Sequence, residues 1–450
     1  MSTEQSGGCG GGGEVAAKRA KASDDESGAG GEDRLSALPE DVLVLILLRL
    51  HTWEAARTSL LSHRWRHVWT LLPKLSLCFF PESRRLCDAL YASEVPLRYL
   101  LIGAPDVSPQ SLAAWLLVAA RRVFGELLLT NLFPERSVED SDDEEEATEI
   151  GAFEMPCFEK ATSISLDLGF LAISVPPNGV FARLTELSLS NVRFHGPGDL
   201  GDAVSSPRCP CLQMLTVRNT RGLDRINIDS ESLRILELKN PRGLRQLTVV
   251  APALRYLSVM QCFLDDQNQP IPIVNISAPQ LEFLSWVDTY DPSSVHLGNM
   301  EHLQTLETFF FVYGPHGFTH NRACLMLLPR FKAIENLTLS LAYLLEETTC
   351  SSGCICDQPT DWKTEELSLN HLQELEIGEF RASEHEVAFV KRLLNWATVL
   401  KMMTVTFNHS ITENKAKELF QIFRSLSKPG VCMKIYIYRK FRKVLYAPEN

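Results

Sequence analysis

The stretch from Leu212 to Met260 reads LQMLTVRNTRGLDRINIDSESLRILELKNPRGLRQLTVVAPALRYLSVM. Within it the pattern L-x-x-L-x-L, with Val accepted last, recurs at Leu212-Leu215-Val217, Leu233-Leu236-Leu238 and Leu254-Leu257-Val259. Both steps, 212 to 233 and 233 to 254, are 21 residues. A fixed period of this length marks a solenoid in which each repeat turns one short strand. A single repeat cannot bury its inward leucines, so the pattern requires neighbours stacked on both sides.

Outward from that stretch the pattern continues at Leu184-Leu187-Leu189 before it and at Leu281-Leu284-Trp286, Ile334-Leu337-Leu339 and Leu372-Leu375-Ile377 after it, with a degenerate copy at Leu303-Leu306. The other steps lengthen to between 22 and 38 residues, which makes the array irregular. Ala161-Ile164-Leu166 and Leu244-Leu247-Val249 are candidate extra strands. The last eighty residues change character. Residues 384–396 and 412–426 pattern as helices flanking strand candidates at 402–407 and 432–438, an α/β segment suited to covering the open end of a solenoid.

The N-terminal side differs again. From Asp33 the chain runs DRLSALPEDVLVLILLRLHTWEAARTSLLSHRWRHVWTLLPKL. Pro39 suits a first helical turn, where its missing N–H is not needed, and Glu40 and Asp41 favour the positive helix end. Three short helices are expected, at 39–50, 55–60 and 64–71, with Thr52 and Ser62 as N-cap candidates. So small a module leans on a neighbour or a partner for stability. The expected division is a low-complexity tail at 1–32, the helical module at 33–76, the repeat array at 77–370 and the cap at 371–450. The fold class is α+β to α/β: a three-helix module, an irregular leucine-rich-repeat solenoid and an α/β cap.

Composition narrows the function. The net charge is -12, with 44 Lys and Arg against 56 Asp and Glu, so the global field repels a phosphate backbone and no nucleic-acid partner is expected. The first thirty residues lack an apolar signal core, and Val42 to Leu48 is far shorter than the roughly 20 residues a membrane span needs, so neither secretion nor a membrane is expected. Twelve cysteines scattered from Cys9 to Cys432 suit free thiols in a reducing compartment, and the expected location is the nucleus or cytoplasm. Lys18-Arg19-Ala20-Lys21 reads as a nuclear-localisation signal or, more blandly, as a solvated charge run. The acids between Glu139 and Glu149 define an acidic loop near 134–150, which self-repels or docks a basic partner.

Asp33 to Leu75 resembles the F-box of plant proteins without a gap. It carries LP at Leu38-Pro39, IL-x-x-L from Ile46 to Leu50, RTS at Arg57 to Ser59 and LS-x-RWR-x-x-W from Leu61 to Trp69. His51 and His63 stand where that family usually has Pro and Lys. With the repeats and the C-terminal HLQELEIGEF and VKRLLNWATVLKMMTV segments, the ordered chain resembles the plant F-box, leucine-rich-repeat and FBD family. The resemblance implies a substrate-recognition subunit of an SCF-type cullin-RING ubiquitin ligase. Its F-box would bind a Skp-type adaptor, with Leu38, Pro39, Leu43, Ile46, Leu47, Leu50, Leu61 and Trp65 forming or supporting the interface. The alternative use of those residues is to fill the module's own core.

In an L-x-x-L-x-L strand the residues between the inward leucines face the concave surface. That puts Glu186, Ser188, Met214, Thr216, Ile235, Glu237, Tyr256, Ser258, Phe283, Ser285, Asn336 and Thr338 there. Tyr256 and Phe283, helped by Met260, are the candidate anchors for a target protein, because interface hot spots favour a few aromatic side chains. Packing against other parts of the chain is the competing account.

No G-x-S-x-G, H-E-x-x-H, Walker A or G-x-G-x-x-G fingerprint occurs, so no enzyme and no cofactor are expected. Cys350, Cys354, Cys356 and His371 form the one metal-like cluster, and C-x3-C-x-C fits no common zinc module. Two further readings share the same surfaces: a leucine-rich-repeat scaffold acting outside a ligase, and a small-molecule sensor. The latter needs a basic pocket, and no basic cluster stands out at the repeat positions.

Overall fold

Glu40–Leu47 (α1), Thr52–Thr58 (α2) and His63–Thr70 (α3) form the N-terminal module in a computed structural model. The structure describes residues 35, 37–78, 83–105, 107–132, 152–196, 199–263, 271–288, 290–311, 327–331, 333–342, 368–440 and 442–446. The tail at 1–32, the acidic stretch at 134–150 and the cysteines at 350, 354 and 356 fall outside the described residues. Two acids fill the first turn of α1, as expected, but Pro39 is its N-cap rather than a first-turn residue and the helix ends at Leu47, short of the expected Leu50. α2 begins earlier than its expected start at Ala55. Glu54 takes the His51 N–H at 3.1 Å, and Thr52, expected as a cap, lies inside the helix. Its hydroxyl instead accepts the Ser76 N–H at 2.8 Å, tying the helices to the first strand. Ser62 caps α3 by accepting the Trp65 N–H at 3.3 Å.

That first strand, Lys74–Cys78 (β1), opens a sheet of fifteen strands among the described residues. The sheet continues through Leu97–Pro105 (β2), Val123–Leu132 (β3), Ser163–Asp167 (β5), Glu186–Ser190 (β7), Met214–Arg218 (β9) and Ile235–Lys239 (β11). Tyr256–Met260 (β13), Phe283–Val287 (β15), Thr305–Phe311 (β17), Asn336–Ala342 (β18) and Glu374–Phe380 (β19) extend it. Met402–Phe407 (β20), Cys432–Arg439 (β21) and Arg442–Leu445 (β22) complete it. All neighbours pair parallel except β21 with β22. The expected boundary at 76 therefore falls inside β1, and the helical module hands directly onto the sheet. Ser83–Ala92 (α4) and Pro109–Arg122 (α5) make the first two crossovers, as parallel pairs require a long connection.

The return path of each coil is also a strand through much of the array. Arg225–Asp229 (β10), Gln246–Val250 (β12), Ile273–Ser277 (β14) and Val295–Leu297 (β16) form a second parallel sheet, and Phe153–Glu154 (β4), Ala172–Ser174 (β6) and Arg193–Phe194 (β8) a third. Leu247 and Val249 belong to this second layer, opposite the main sheet, while Ile164 and Leu166 sit in the main sheet at β5. A 21-residue repeat is thus two half-coils, and Ile226 and Ile228 do for the second sheet what Leu215 and Val217 do for the first. All four are at most 2% exposed. Leu187, Leu215, Leu236, Leu257, Leu284, Leu306, Leu337 and Leu375 stack in register as one continuous core column.

Strands β7, β9, β11 and β13 end in the same turn. Asn191, Asn219, Asn240 and Gln261 follow them with φ of 51°, 51°, 52° and 53°, the left-handed region in which Asn is the usual non-glycine choice. The amides of Asn240 and Asn219 each donate to the preceding asparagine at 3.2 Å, and Asn191 donates to Asp167 at 2.9 Å. Asn240→Ala is expected to cost about 2 kcal/mol, because it strains the backbone and deletes a ladder rung. Asn240→Gly should recover the backbone share. Chemical unfolding of the two variants checks this, and equal losses would mean that the amide ladder alone matters.

A short helix, Leu200–Val204 (α6), precedes β9, and at the C-terminal end the sheet runs on unbroken, flanked by Glu384–Trp396 (α7) and Glu413–Leu426 (α8). Ser383 and Glu386 form a reciprocal capping box on α7. Phe380, Phe407 and Phe423 join β19, β20 and α8 in one aromatic cluster, with centroids 5.5 to 5.7 Å apart. No helix among the described residues is long and apolar enough to cross a membrane.

Candidate functional site

In α1 the residues Leu43 and Leu47, one helical turn apart, point into the module and are 0% and 1% exposed. They belong to the same buried cluster as Ala55, Val68 and Leu72, so of the two roles expected for them, contact or support, their place is beneath the surface. The physical reason is periodicity: once positions i and i+4 face inward, the positions between them turn out. Leu45 is accordingly 61% exposed, and Leu48 and Leu50 stand open beside it.

Of the other expected contact residues, Pro39, Leu50 and Leu61 are exposed, whereas Leu38, Ile46 and Trp65 are half-buried and lean on the core. Arg64 donates to the Leu38 carbonyl, which holds the entry segment against α3. The turn between α2 and α3 presents Leu60 and Leu61, 81% and 70% exposed, and Trp53 on α2 is exposed with the Arg57 guanidinium 5.8 Å from its ring. Leu45, Leu48, Trp53 and Leu60 were not among the expected contacts, although counting helical turns from Leu43 would have found the first two.

Seven of the sixteen exposed large apolar side chains among the described residues lie between Leu35 and Leu61. That density, in a segment forming a small part of the chain, is what an unoccupied protein interface looks like.

The repeat face forms a second surface. Tyr256 and Phe283 are cross-strand neighbours on β13 and β15, stacked with centroids 4.6 Å apart and planes 11° from parallel. Both are half-buried, and Met260 lies on the same face of β13, paired with Val287. Burial raises the Tyr256 phenol pKa, and the Glu237 and Glu307 charges add to the shift. Ser258 and Ser285, between the aromatic and Met260 rows, are buried. On this face Glu237 pairs with Arg218 at 2.6 Å.

Among the described residues no three metal-ligating side chains gather. Cys157, Cys209 and Cys262 all have raised pKa values, chiefly through burial, with Cys209 pushed up to about 12, the reverse of what a nucleophilic thiol needs.

A small three-helix module with open leucines is thus fused to a stacked parallel-strand solenoid. The F-box domain family model matches residues 35–77, and the model described as FBD-associated F-box protein At5g56370, LRR repeats, matches residues 112–304. Three similar proteins are from Arabidopsis thaliana. F-box protein At1g60400 is 32% identical over 202 residues, covering 42% of this chain and 46% of that protein. Putative F-box/LRR-repeat protein At4g15060 is 28% identical over 41% of this chain and 44% of that protein. Putative F-box/FBD/LRR-repeat protein At4g03220 is 26% identical over 83% of this chain and 74% of that protein. The chain thus spans under half the length of the first two. It carries an F-box and an FBD-associated leucine-rich-repeat region, as the Arabidopsis F-box/FBD/LRR-repeat proteins do. F-boxes in general bind Skp-type adaptors of cullin-RING ligases, and F-box/LRR proteins are in general adaptors rather than enzymes.

Proposed function

We propose that this protein is the substrate-recognition subunit of an SCF-type cullin-RING ubiquitin ligase, holding a Skp-type adaptor at the F-box and a target protein at the repeats. The observation that carries the reading is the concentration of exposed leucines and Trp53 between residues 35 and 61. Leu45, Leu48, Leu50, Leu60 and Leu61, with Pro39 beside them, offer the apolar contact, and Leu43 and Leu47 support it from below. The chain itself needs no reacting group. Holding two partners on one body turns their encounter into a nearly intramolecular one, which raises the effective concentration of a target lysine near activated ubiquitin. On the repeat face the Tyr256 and Phe283 stack is framed by Glu237 and Glu307, which suits an apolar target segment flanked by Lys or Arg.

Co-expression with a Skp-type adaptor tests the first half. The wild type should capture the adaptor. Leu61→Asp combined with Leu60→Asp should reduce capture by about a thousandfold, since two charges would sit in a desolvated contact worth about 2 kcal/mol or more per hot spot. Both side chains are open to solvent, so circular dichroism should be unchanged. A wild type that captures no adaptor would overturn the ligase reading and leave a scaffold.

A further inference from the structure

Glu237, Ser258, Ser285, Glu307, Thr338 and Glu376 stand in register as the middle row of the repeat face. The three carboxylates of that row are not alike. Arg218 holds Glu237 at 2.6 Å, and Lys443 approaches Glu376 at 3.8 Å. Glu307, half-buried between them in the row, makes no ion pair among the described residues. Directly across from it Ser285 is 1% exposed, and its hydroxyl is buried without a hydrogen-bond partner among the described residues. Buried polar groups in folded proteins are paired, so an orphan hydroxyl beside an unpaired carboxylate marks a place that a donor from outside the chain can complete.

One row over, the Tyr256 and Phe283 rings stack with centroids 4.6 Å apart and planes 11° from parallel. That separation is close to the strand spacing of about 4.8 Å, so the stack runs along the row from strand to strand. Tyr256 covers one face of Phe283. The other turns toward β17, where the register places Thr305, a small side chain. Asn336 donates to the Thr305 hydroxyl at 3.3 Å, which holds it in place. Phe283, Thr305, Ser285 and Glu307 thus bound a slot with an aromatic wall, a small polar floor and a carboxylate at one end.

We propose that this slot takes one arginine side chain of the target protein. A guanidinium is planar and carries five N–H donors in a fixed fork. Its face would lie on Phe283 and its fork on Glu307, with a hydrogen left for the Ser285 or Thr305 hydroxyl. A lysine ammonium supplies the charge but neither the flat face nor the fork. The net charge of -12 draws a basic segment toward the chain as well. Ile235 lies beyond Tyr256 in the aromatic row, and Met260 pairs with Val287 on the far side of the serines, so apolar residues beside the arginine find matching contacts. The proposal rests on the reading that the repeats hold a target, and it narrows that target to an apolar segment with an arginine at a fixed place. It does not depend on the adaptor.

Titration calorimetry of the full chain tests it with three probes: acetyl-Gly-Leu-Arg-Leu-Gly-amide and the same peptide with Lys or Gln at its centre. The arginine peptide should bind about threefold or more tighter than the lysine peptide, and about tenfold or more tighter than the glutamine one, which lacks the charge-assisted pair. Glu307→Gln should bring all three peptides within about twofold of one another. Glu376→Gln removes a carboxylate that Lys443 already attends, and should leave the order and the affinities unchanged. No heat with any peptide, an arginine peptide bound no tighter than the other two, or a full arginine preference in Glu307→Gln would overturn the proposal. Glu307→Gln keeps the side-chain shape at a partly open position, and its melting temperature separates loss of the slot from loss of fold. Adaptor capture by the same protein keeps the two readings apart. Peptide failure with capture intact sinks the slot alone, and capture failure with the peptides still discriminated sinks the ligase reading alone.

Discussion

Trp286→Ala is expected to destabilise the protein by about 3–5 kcal/mol, the range for deleting a fully buried large aromatic side chain. Trp286 is 0% exposed, points inward from β15 and stands in register between Val259 and Thr308 in the middle of the core column. The cavity it would leave is bounded by stacked coils on both sides, and backbone pairing to β13 and β17 prevents their collapse into it. Phe283→Ala, three residues earlier on the opposite face, should cost only about 1 kcal/mol, chiefly the stack on Tyr256. Urea unfolding followed by circular dichroism measures both. Solenoid stability is a sum of coil and interface terms, so loss of cooperativity in Trp286→Ala is part of the expected result. Equal costs for the two variants would mean that the faces of β15 are assigned wrongly.

Asp288→Ala should be nearly as damaging. This carboxylate is 1% exposed and directly follows β15, the place that Asn219, Asn240 and Gln261 take in earlier coils. It accepts the Cys262 N–H at 2.5 Å and the Phe263 N–H at 3.1 Å, clamping the turn that leaves β13. Truncation leaves two backbone donors without their acceptor, at about 1.5–3 kcal/mol for each bond to a charged group, so a loss of about 3 kcal/mol is expected. Asp288→Asn keeps one acceptor oxygen and should recover part of it. The same unfolding measurement decides, and a loss under about 0.5 kcal/mol would show that the turn holds without the carboxylate.

The main-sheet strands were legible because a strand with one buried face writes its leucines at alternate positions, and Leu233-Leu236-Leu238 states both the strand and its inward side. The cap at Ser62 was legible for a similarly local reason, since a side-chain oxygen reaches only a few residues along its own chain. The second sheet was largely missed. β10 reads R-I-N-I-D, two apolar residues without the leading L-x-x-L, and nothing local tells such a segment which layer it will join. Which α1 residues lie at the surface and which support it from beneath was not legible, because VLVLILL is apolar nearly all round and the side that faces inward depends on where α3 packs. The column that Arg193, Arg221 and Arg242 form at bridged positions beyond β7, β9 and β11 was invisible for the opposite reason. Arg193, Arg221 and Arg242 are spaced by 28 and then 21 residues, an irregular interval that becomes one column only when the coils are stacked.

What the chain states on its own is therefore local and periodic: a short helical module, a leucine-rich-repeat solenoid, a terminal α/β segment and the F-box motif that joins it to its relatives. Which leucines of the module are core and which are open, the second sheet behind the first, the Tyr256 and Phe283 stack and the arginine column were decided by stacking. Those features depend on contacts between residues about twenty or more positions apart, and the free energy that selects them comes from burial between coils, which no single segment possesses alone.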